Sequence, residues 1–113
     1  MPYITFSRNT KVTRQALLDK CKKLGDIFEH PFVVMRGSKS VKALASDAAS
    51  RGFSSVIVLQ GENAQKLVVL NPKSLGSSYT WGNEYLIKST KTKLTIERDG
   101  KDAKKTLIKE AED

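Results

Sequence analysis

Tyr3-Ile4-Thr5-Phe6-Ser7-Arg8-Asn9-Thr10-Lys11-Val12-Thr13-Arg14 and Phe32-Val33-Val34-Met35-Arg36-Gly37-Ser38-Lys39-Ser40-Val41-Lys42 follow the same plan. Each opens on an apolar, strand-like run, passes through a basic loop rich in hydroxyls, and enters a helical pattern. Strand, loop, helix, strand is a βαβ order, and its right-handed crossover makes the joined strands parallel. Both loops then leave the carboxyl ends of parallel strands, the edge where open α/β sheets bind ligands. Each also runs into a helix N-terminus, where free backbone N–H groups and the helix dipole favour anions. Cations, hydroxyls and helix N-termini on one edge describe a phosphate-binding surface, which points to RNA.

Working outward, the apolar spacing predicts a first helix from about Thr13 to Leu24, with Leu17, Cys21 and Leu24 on one stripe and Gly25 as its stop. Lys20, Lys22 and Lys23 fall on the other face and read as solvated surface. Ile27 and Phe28 are expected to pack back on the core before Pro31. A second helix places Val41, Leu44, Ala45 and Ala48 at the spacing of one buried face, capped by Ser38 or Ser40 and ended by Gly52. Val56-Ile57-Val58-Leu59 is apolar throughout, as in a strand buried on both faces. Gly61-Glu62-Asn63-Ala64 reads as a turn into Lys66-Leu67-Val68-Val69-Leu70, an antiparallel hairpin that Asn71-Pro72 breaks.

After Ser78 the period is that of strands. Tyr79 and Trp81, Tyr85 and Ile87, Leu94 and Ile96 alternate, with turns expected at Gly82-Asn83, Ser89-Thr90 and Asp99-Gly100. Ala103, Leu107, Ile108 and Ala111 return to helical spacing and predict a closing helix; a further strand reaching Ile108 is the alternative. The fold class is therefore α/β, a mixed sheet with a parallel βαβ core and antiparallel edge strands. Residues 1–113 read as one domain, with 1–76 as its core and 77–113 as added strands and the closing helix.

Composition narrows the chemistry. The net charge is +8, and residues 1–56 hold ten basic against four acidic side chains, a net of +6, while the remainder nets only +2. The positive field belongs to the half with the two loops, which favours a polyanionic partner. One cysteine, Cys21, excludes an internal disulfide and a cysteine-rich zinc site, and one histidine, His30, excludes a multi-histidine metal centre. Cys21 lies on the apolar stripe, where a buried structural thiol is expected.

No phosphate-loop or dinucleotide fingerprint is present, and Glu84, Glu97, Asp99 and Asp102 are scattered as solvated charges. The expectation is a non-enzymatic protein with no cofactor, no metal and no small-molecule substrate. No apolar run approaches the ~20 residues that cross a bilayer, and no secretory signal is visible, so no membrane partner is expected and the chain reads as cytosolic or nuclear. Tyr79, Trp81 and Tyr85 lie near Lys88, Lys91 and Lys93, an interleaving that would suit base stacking. The plainer expectation is that Trp81 packs the core, with the tyrosines evenly balanced between the two roles.

Ile4-Thr5-Phe6-Ser7-Arg8, then Thr13-Arg14, Met35-Arg36-Gly37 with Ser40, Gly52-Phe53 and Val56-Ile57-Val58 occur in a telling order. In these residues the chain resembles the amino-terminal half of a Brix domain, over roughly residues 3–75. Family members show a strand ending in Thr-x-Ser-Arg, a later arginine, an Arg-Gly after the second strand and an apolar third strand. The resemblance implies a role in ribosome biogenesis, binding ribosomal RNA precursors or the ribonucleoprotein particles that process them, alongside other assembly proteins. It implies a short archaeal-type protein of the cytoplasm, or a nucleolar one if eukaryotic. It also implies an α/β sandwich similar to the anticodon-binding domain of class II aminoacyl-tRNA synthetases. The stretch after Gly76 departs from the family, since it holds no second copy of the βαβ order and no arginine-rich continuation.

The residues expected to bind RNA are Ser7, Arg8, Thr10, Lys11, Arg14, Arg36, Gly37, Ser38, Lys39, Ser40 and Lys42. The cations would contact phosphate, the arginines bidentately. The hydroxyls would add neutral hydrogen bonds or cap helices, and Gly37 would let backbone N–H groups approach closely. Two rivals share this surface: a module docking on an acidic protein within a ribonucleoprotein particle, and an anticodon-type domain that binds tRNA.

Overall fold

The computed structural model describes residues 3–6, 13–25, 27–28, 32–34, 39–72, 79–89 and 94–112. In chain order the elements are β1 (Tyr3–Phe6), α1 (Arg14–Gly25), β2 (Phe32–Val33), α2 (Val41–Ser50), β3 (Val56–Gln60), β4 (Lys66–Pro72), β5 (Tyr79–Ser89), β6 (Leu94–Arg98), β7 (Lys101–Asp102) and α3 (Lys104–Glu112). Among the described residues the strands form one sheet, ordered β2-β1-β3-β4-β5-β6-β7. Pairing is parallel in β2-β1-β3 and antiparallel from β3 to β7. This is the mixed α/β sheet that the residue pattern implies.

Side-chain alternation sorts the core into two layers. Ile4, Ile57, Leu59, Leu67 and Val69 face one way and pack with Leu24 of α1 and Leu107 and Ala111 of α3. Tyr3, Val56, Val58 and Leu70 face the other way and meet Leu44, Ala45 and Ala48 of α2. β3 is thus buried on both faces, which is why four consecutive apolar residues are needed there. The small alanines bring α2 close to the strands.

The helix ends follow from local chemistry. The Thr13 hydroxyl accepts from the Ala16 N–H at 3.2 Å and caps α1; the Ser40 hydroxyl accepts from the Ala43 N–H at 3.2 Å and caps α2. At the far end of α2, Gly52 takes φ +83°, letting the N–H groups of Gly52 and Phe53 reach the carbonyls of Ala49 and Ala48 at 3.1 and 2.9 Å. That is the left-handed glycine stop that satisfies the last free carbonyls. Phe28 is buried and Ile27 packs beside it, as expected. The side chains of Leu17, Leu18 and Cys21 lie outside the described set, so the expected buried thiol is not placed.

Three expectations need correction. Gly82-Asn83 is not a turn: β5 runs unbroken through it, and Val68 pairs with Glu84 while Leu70 pairs with Trp81, so β5 holds one extra residue there. This is a β-bulge. A Cβ on Gly82 would stand 3.2 Å from the Val69 carbonyl oxygen, a tight contact that the neighbouring strand would have to ease by a few tenths of an ångström. From α3, the Glu110 carboxylate holds the bulge, accepting from Asn83 Nδ2 at 2.6 Å, the Asn83 N–H at 3.3 Å and the Tyr85 hydroxyl at 3.4 Å. Second, Pro72 does not break β4; it is the last paired residue, opposite Tyr79, a strand end where a missing N–H costs little. Third, Lys20 is not simple solvated surface. Its ammonium donates to the carbonyls of Asn63 at 2.7 Å and Ala64 at 3.0 Å, tying α1 to the β3–β4 turn. Burial, with Lys23 nearby, holds the Lys20 pKa below its ordinary value.

The closing helix is present as α3, with Ala103, Leu107 and Ala111 buried. The Ser55 hydroxyl donates to the Ala111 carbonyl and anchors its end. Asp99 and Gly100, both at positive φ, turn β6 into β7.

Candidate nucleic-acid interface

The parallel pairing decides where the basic segments go. Tyr3 pairs with Phe32 and with Val56, so Phe6, Val33 and Gln60 end their strands at one edge of the sheet. A further bond, Val34 N–H to the Ile4 carbonyl at 2.9 Å, extends the β1–β2 pairing toward that edge. From β1 the chain crosses one face by α1 to reach β2. From β2 it crosses the other face by α2 to reach β3, beyond β1. This order, 2-1-3, makes a topological switch point between β1 and β3, where crevices open at the carboxyl ends of strands.

Of the expected site, Ser7, Arg8, Thr10, Lys11, Arg36, Gly37 and Ser38 lie outside the described residues. What the fold fixes is their bracketing: the first four connect β1 to α1, and the last three connect β2 to α2. Arg14 is the first residue of α1. Lys39 and Ser40 precede α2 and Lys42 is its second residue, with both lysines exposed. Of the two serines proposed as caps, Ser40 is the cap, its hydroxyl engaged by Ala43. The structure thus brings Lys39, Ser40 and Lys42 together at one helix N-terminus and seats the starts of α1 and α2 on opposite faces above the same edge.

One further basic residue of this edge, Lys66, was not assigned to the site from sequence. It pairs with Gln60 at the start of β4; β5 ends and β6 begins on the same side, where Ser89 pairs with Leu94, while Lys91 and Lys93 between them lie outside the described residues. The missed signal is topological. The antiparallel pairing of β4 with β3 returns Lys66 to the edge from which the two loops depart.

The opposite edge is built for stability. The Tyr3 hydroxyl donates to Asp47 Oδ2 at 2.7 Å, and Arg51 Nε donates to Asp47 Oδ1 at 3.1 Å. Arg51 also sits over the Phe32 ring, 5.1 Å from its centroid, and Phe32 stacks on Phe53 at 5.4 Å. Burial, then the bond to Asp47, pushes the Tyr3 pKa well above its ordinary value. The same hydrogen bond, aided by Arg51, holds the Asp47 carboxyl below the usual carboxylate range.

The aromatic residues divide against expectation. Tyr85 is buried in the layer under α3, and Tyr79 is half-buried beside α2, but Trp81 is 47% exposed and does not pack the core. Among the described residues no helix reaches over β5 at Trp81 on this face, so alternation turns its side chain outward. Among the described residues no group of three or more histidine, cysteine or acidic side chains could hold a metal ion. No described helix is long and apolar enough to cross a membrane.

No protein-family model matches this sequence, and no curated protein matches it, so the Brix resemblance rests on the residues quoted above. By structure, the chain is similar to the crystal structure of a probable ribosomal biogenesis protein from Aeropyrum pernix K1. The TM-score is 0.58 at 19% sequence identity, over 78% of this chain and 48% of that one. This chain spans about half the length of that structure. What the two share is the fold, a mixed α/β sheet.

Proposed function

We propose that this chain is a non-enzymatic RNA-binding factor of ribosome biogenesis, holding ribosomal RNA or its precursor at the edge where β1, β2 and β3 end. The observation that carries the reading is that β1 and β2 end at that one edge and that the helix following each, α1 or α2, has its first turn capped by a hydroxyl, Thr13 or Ser40. Arg8, Lys11, Arg14, Arg36, Lys39 and Lys42 neutralise phosphates, while Ser7, Thr10, Ser38 and the backbone at Gly37 add neutral donors. Such contacts set register and orientation without reading bases. Structured RNA and its particle are therefore the substrate class, with other assembly proteins as neighbours in a cytoplasmic, or in eukaryotes nucleolar, setting. The likeness to a probable ribosomal biogenesis protein supports the same reading.

The test is the double variant Arg8→Ala with Arg36→Ala, assayed against ribosomal RNA fragments, tRNA and a polyanion competitor. Loss of two charge-assisted contacts, each worth about 1.5–3 kcal/mol, weakens ribosomal RNA binding at least roughly 100-fold while far-ultraviolet circular dichroism stays unchanged. Equal affinity of variant and parent for RNA overturns the reading. Preference for tRNA would instead favour the anticodon-type alternative, and retention by an acidic protein alone would favour the docking module.

A further inference from the structure

Trp81 and Leu86 are the clue, at 47% and 45% exposure on the same face of β5. This is the face over which α2 covers β1, β3 and β4; among the described residues no helix continues across β5 and β6. Leu86 pairs with Lys66 on one side and Glu97 on the other, and Glu84 and Lys88 flank it along its own strand. All four charges pair on the face: Lys66 with Glu84 at 3.6 Å and Lys88 with Glu97 at 3.3 Å. Further along, Trp81 stands edge-on to Tyr79 with ring centroids 5.8 Å apart. The result is a charge-balanced platform with an exposed indole, set in a chain whose net charge is +8.

We infer that this open face of β4, β5 and β6 is a stacking platform for the bases of single-stranded RNA, with Trp81 as its principal ring; the inference rests on the RNA reading of the basic edge. A polyanion is drawn by the net charge of the whole chain, but its phosphates gain little over a surface where each lysine already has a carboxylate. What such a surface accepts is the uncharged π-face of a base, which stacks on an aromatic ring whatever its identity. The strand direction links the two regions. β5 runs from Trp81 through Leu86 and Lys88 to Ser89 at the basic edge, seven residues from Trp81 to Lys88, roughly 20 Å of extended chain. An RNA strand whose phosphates are held at that edge therefore has a direct course over the platform. A protein partner fits less well, because it would have to desolvate two ion pairs that flank one leucine.

Trp81 is the sole tryptophan, so its fluorescence reports on this face alone. The experiment titrates a fluorophore-labelled, unstructured RNA oligonucleotide into the full chain at low salt, following anisotropy of the RNA and emission of Trp81 together. Quenching of Trp81 with the same midpoint as the anisotropy rise is expected. Trp81→Ala should bind roughly tenfold more weakly, and Trp81→Phe, which keeps a ring, should recover most of the affinity. The logarithmic salt dependence should be the same for all three proteins, because no phosphate contact is removed. If anisotropy rises while Trp81 emission stays constant and Trp81→Ala binds like the parent, the platform is wrong and the basic edge stands. If no RNA is retained at all, both fall. A blue shift of Trp81 that grows with protein concentration without RNA would assign the face to a second copy of the chain, and would equally overturn the inference.

Discussion

The two halves of the sheet use their residues differently. β2-β1-β3 is parallel and carries helices on both faces, so its inner strand β3 is spent on the core: every side chain from Val56 to Leu59 is buried. In β5 and β6 the described helices cover one face only, so alternate residues stay in solvent, among them Trp81, Glu84, Leu86 and Lys88. The parallel half consequently offers its partner only an edge, made of loops and helix N-termini. The antiparallel half offers a face. A double-sided sandwich buries strand surface and exports function to its loops, whereas a single-sided sheet keeps a surface of its own.

The comparison breaks most readily at the core leucines. Leu107 of α3 packs under the antiparallel strands and Leu44 of α2 under the parallel ones. Either leucine replaced by alanine should cost about 2–5 kcal/mol, read as a shift of the urea midpoint. Since β3 and β4 are paired over five residues from Val56 to Gln60, both variants should move one common transition. Two separate transitions, with Leu107→Ala affecting only one, would show that the halves unfold independently.

A smaller effect belongs to the stable edge of the parallel half. Asp47→Ala strands the buried Tyr3 hydroxyl without an acceptor, a loss of about 1–3 kcal/mol at neutral pH. The pH dependence has a definite sign. The folded-state pKa of Asp47 is depressed below its unfolded value, near 4 for an aspartate. Its contribution is therefore full above the unfolded value and is lost as pH falls through the lower folded one. The stability gap between parent and variant should narrow on acidification across that range; a gap independent of pH would show that Asp47 acts without its charge. Smaller still, Ser40→Ala removes the cap of α2 and should cost about 1 kcal/mol, measured by thermal melting. A larger loss would mean that Ser40 holds more than the Ala43 N–H.

Much of this architecture was legible because its signals are local. Val41, Leu44, Ala45 and Ala48 fix a helix by spacing alone, and Val56 to Leu59 announce a strand covered twice. The alternating run from Tyr79 was legible as strand, but not its continuity: Gly82-Asn83 has turn chemistry, and only the register against Val68 and Leu70 makes it a bulge. Trp81 failed for a related reason. Alternation assigns it a face but cannot tell which face a helix will cover. Lys20 was misjudged because its partners, the carbonyls of Asn63 and Ala64, lie more than forty residues away along the chain. Of the candidate site, the shared edge was legible from the βαβ order. Lys66 was overlooked although the expected β3–β4 hairpin already returns it to that edge.

The central claim is that phosphates bind at the edge shared by the two basic segments, and its most direct test is the salt dependence of RNA affinity. Six cations are assigned there: Arg8, Lys11, Arg14, Arg36, Lys39 and Lys42. If each releases a counterion from the RNA, the logarithm of the association constant should fall against the logarithm of salt concentration with a slope on the order of −4, taking about 0.7 per phosphate for single strands. A flat response, or no RNA retained at low salt, would contradict the account and turn the basic edge over to an acidic protein partner.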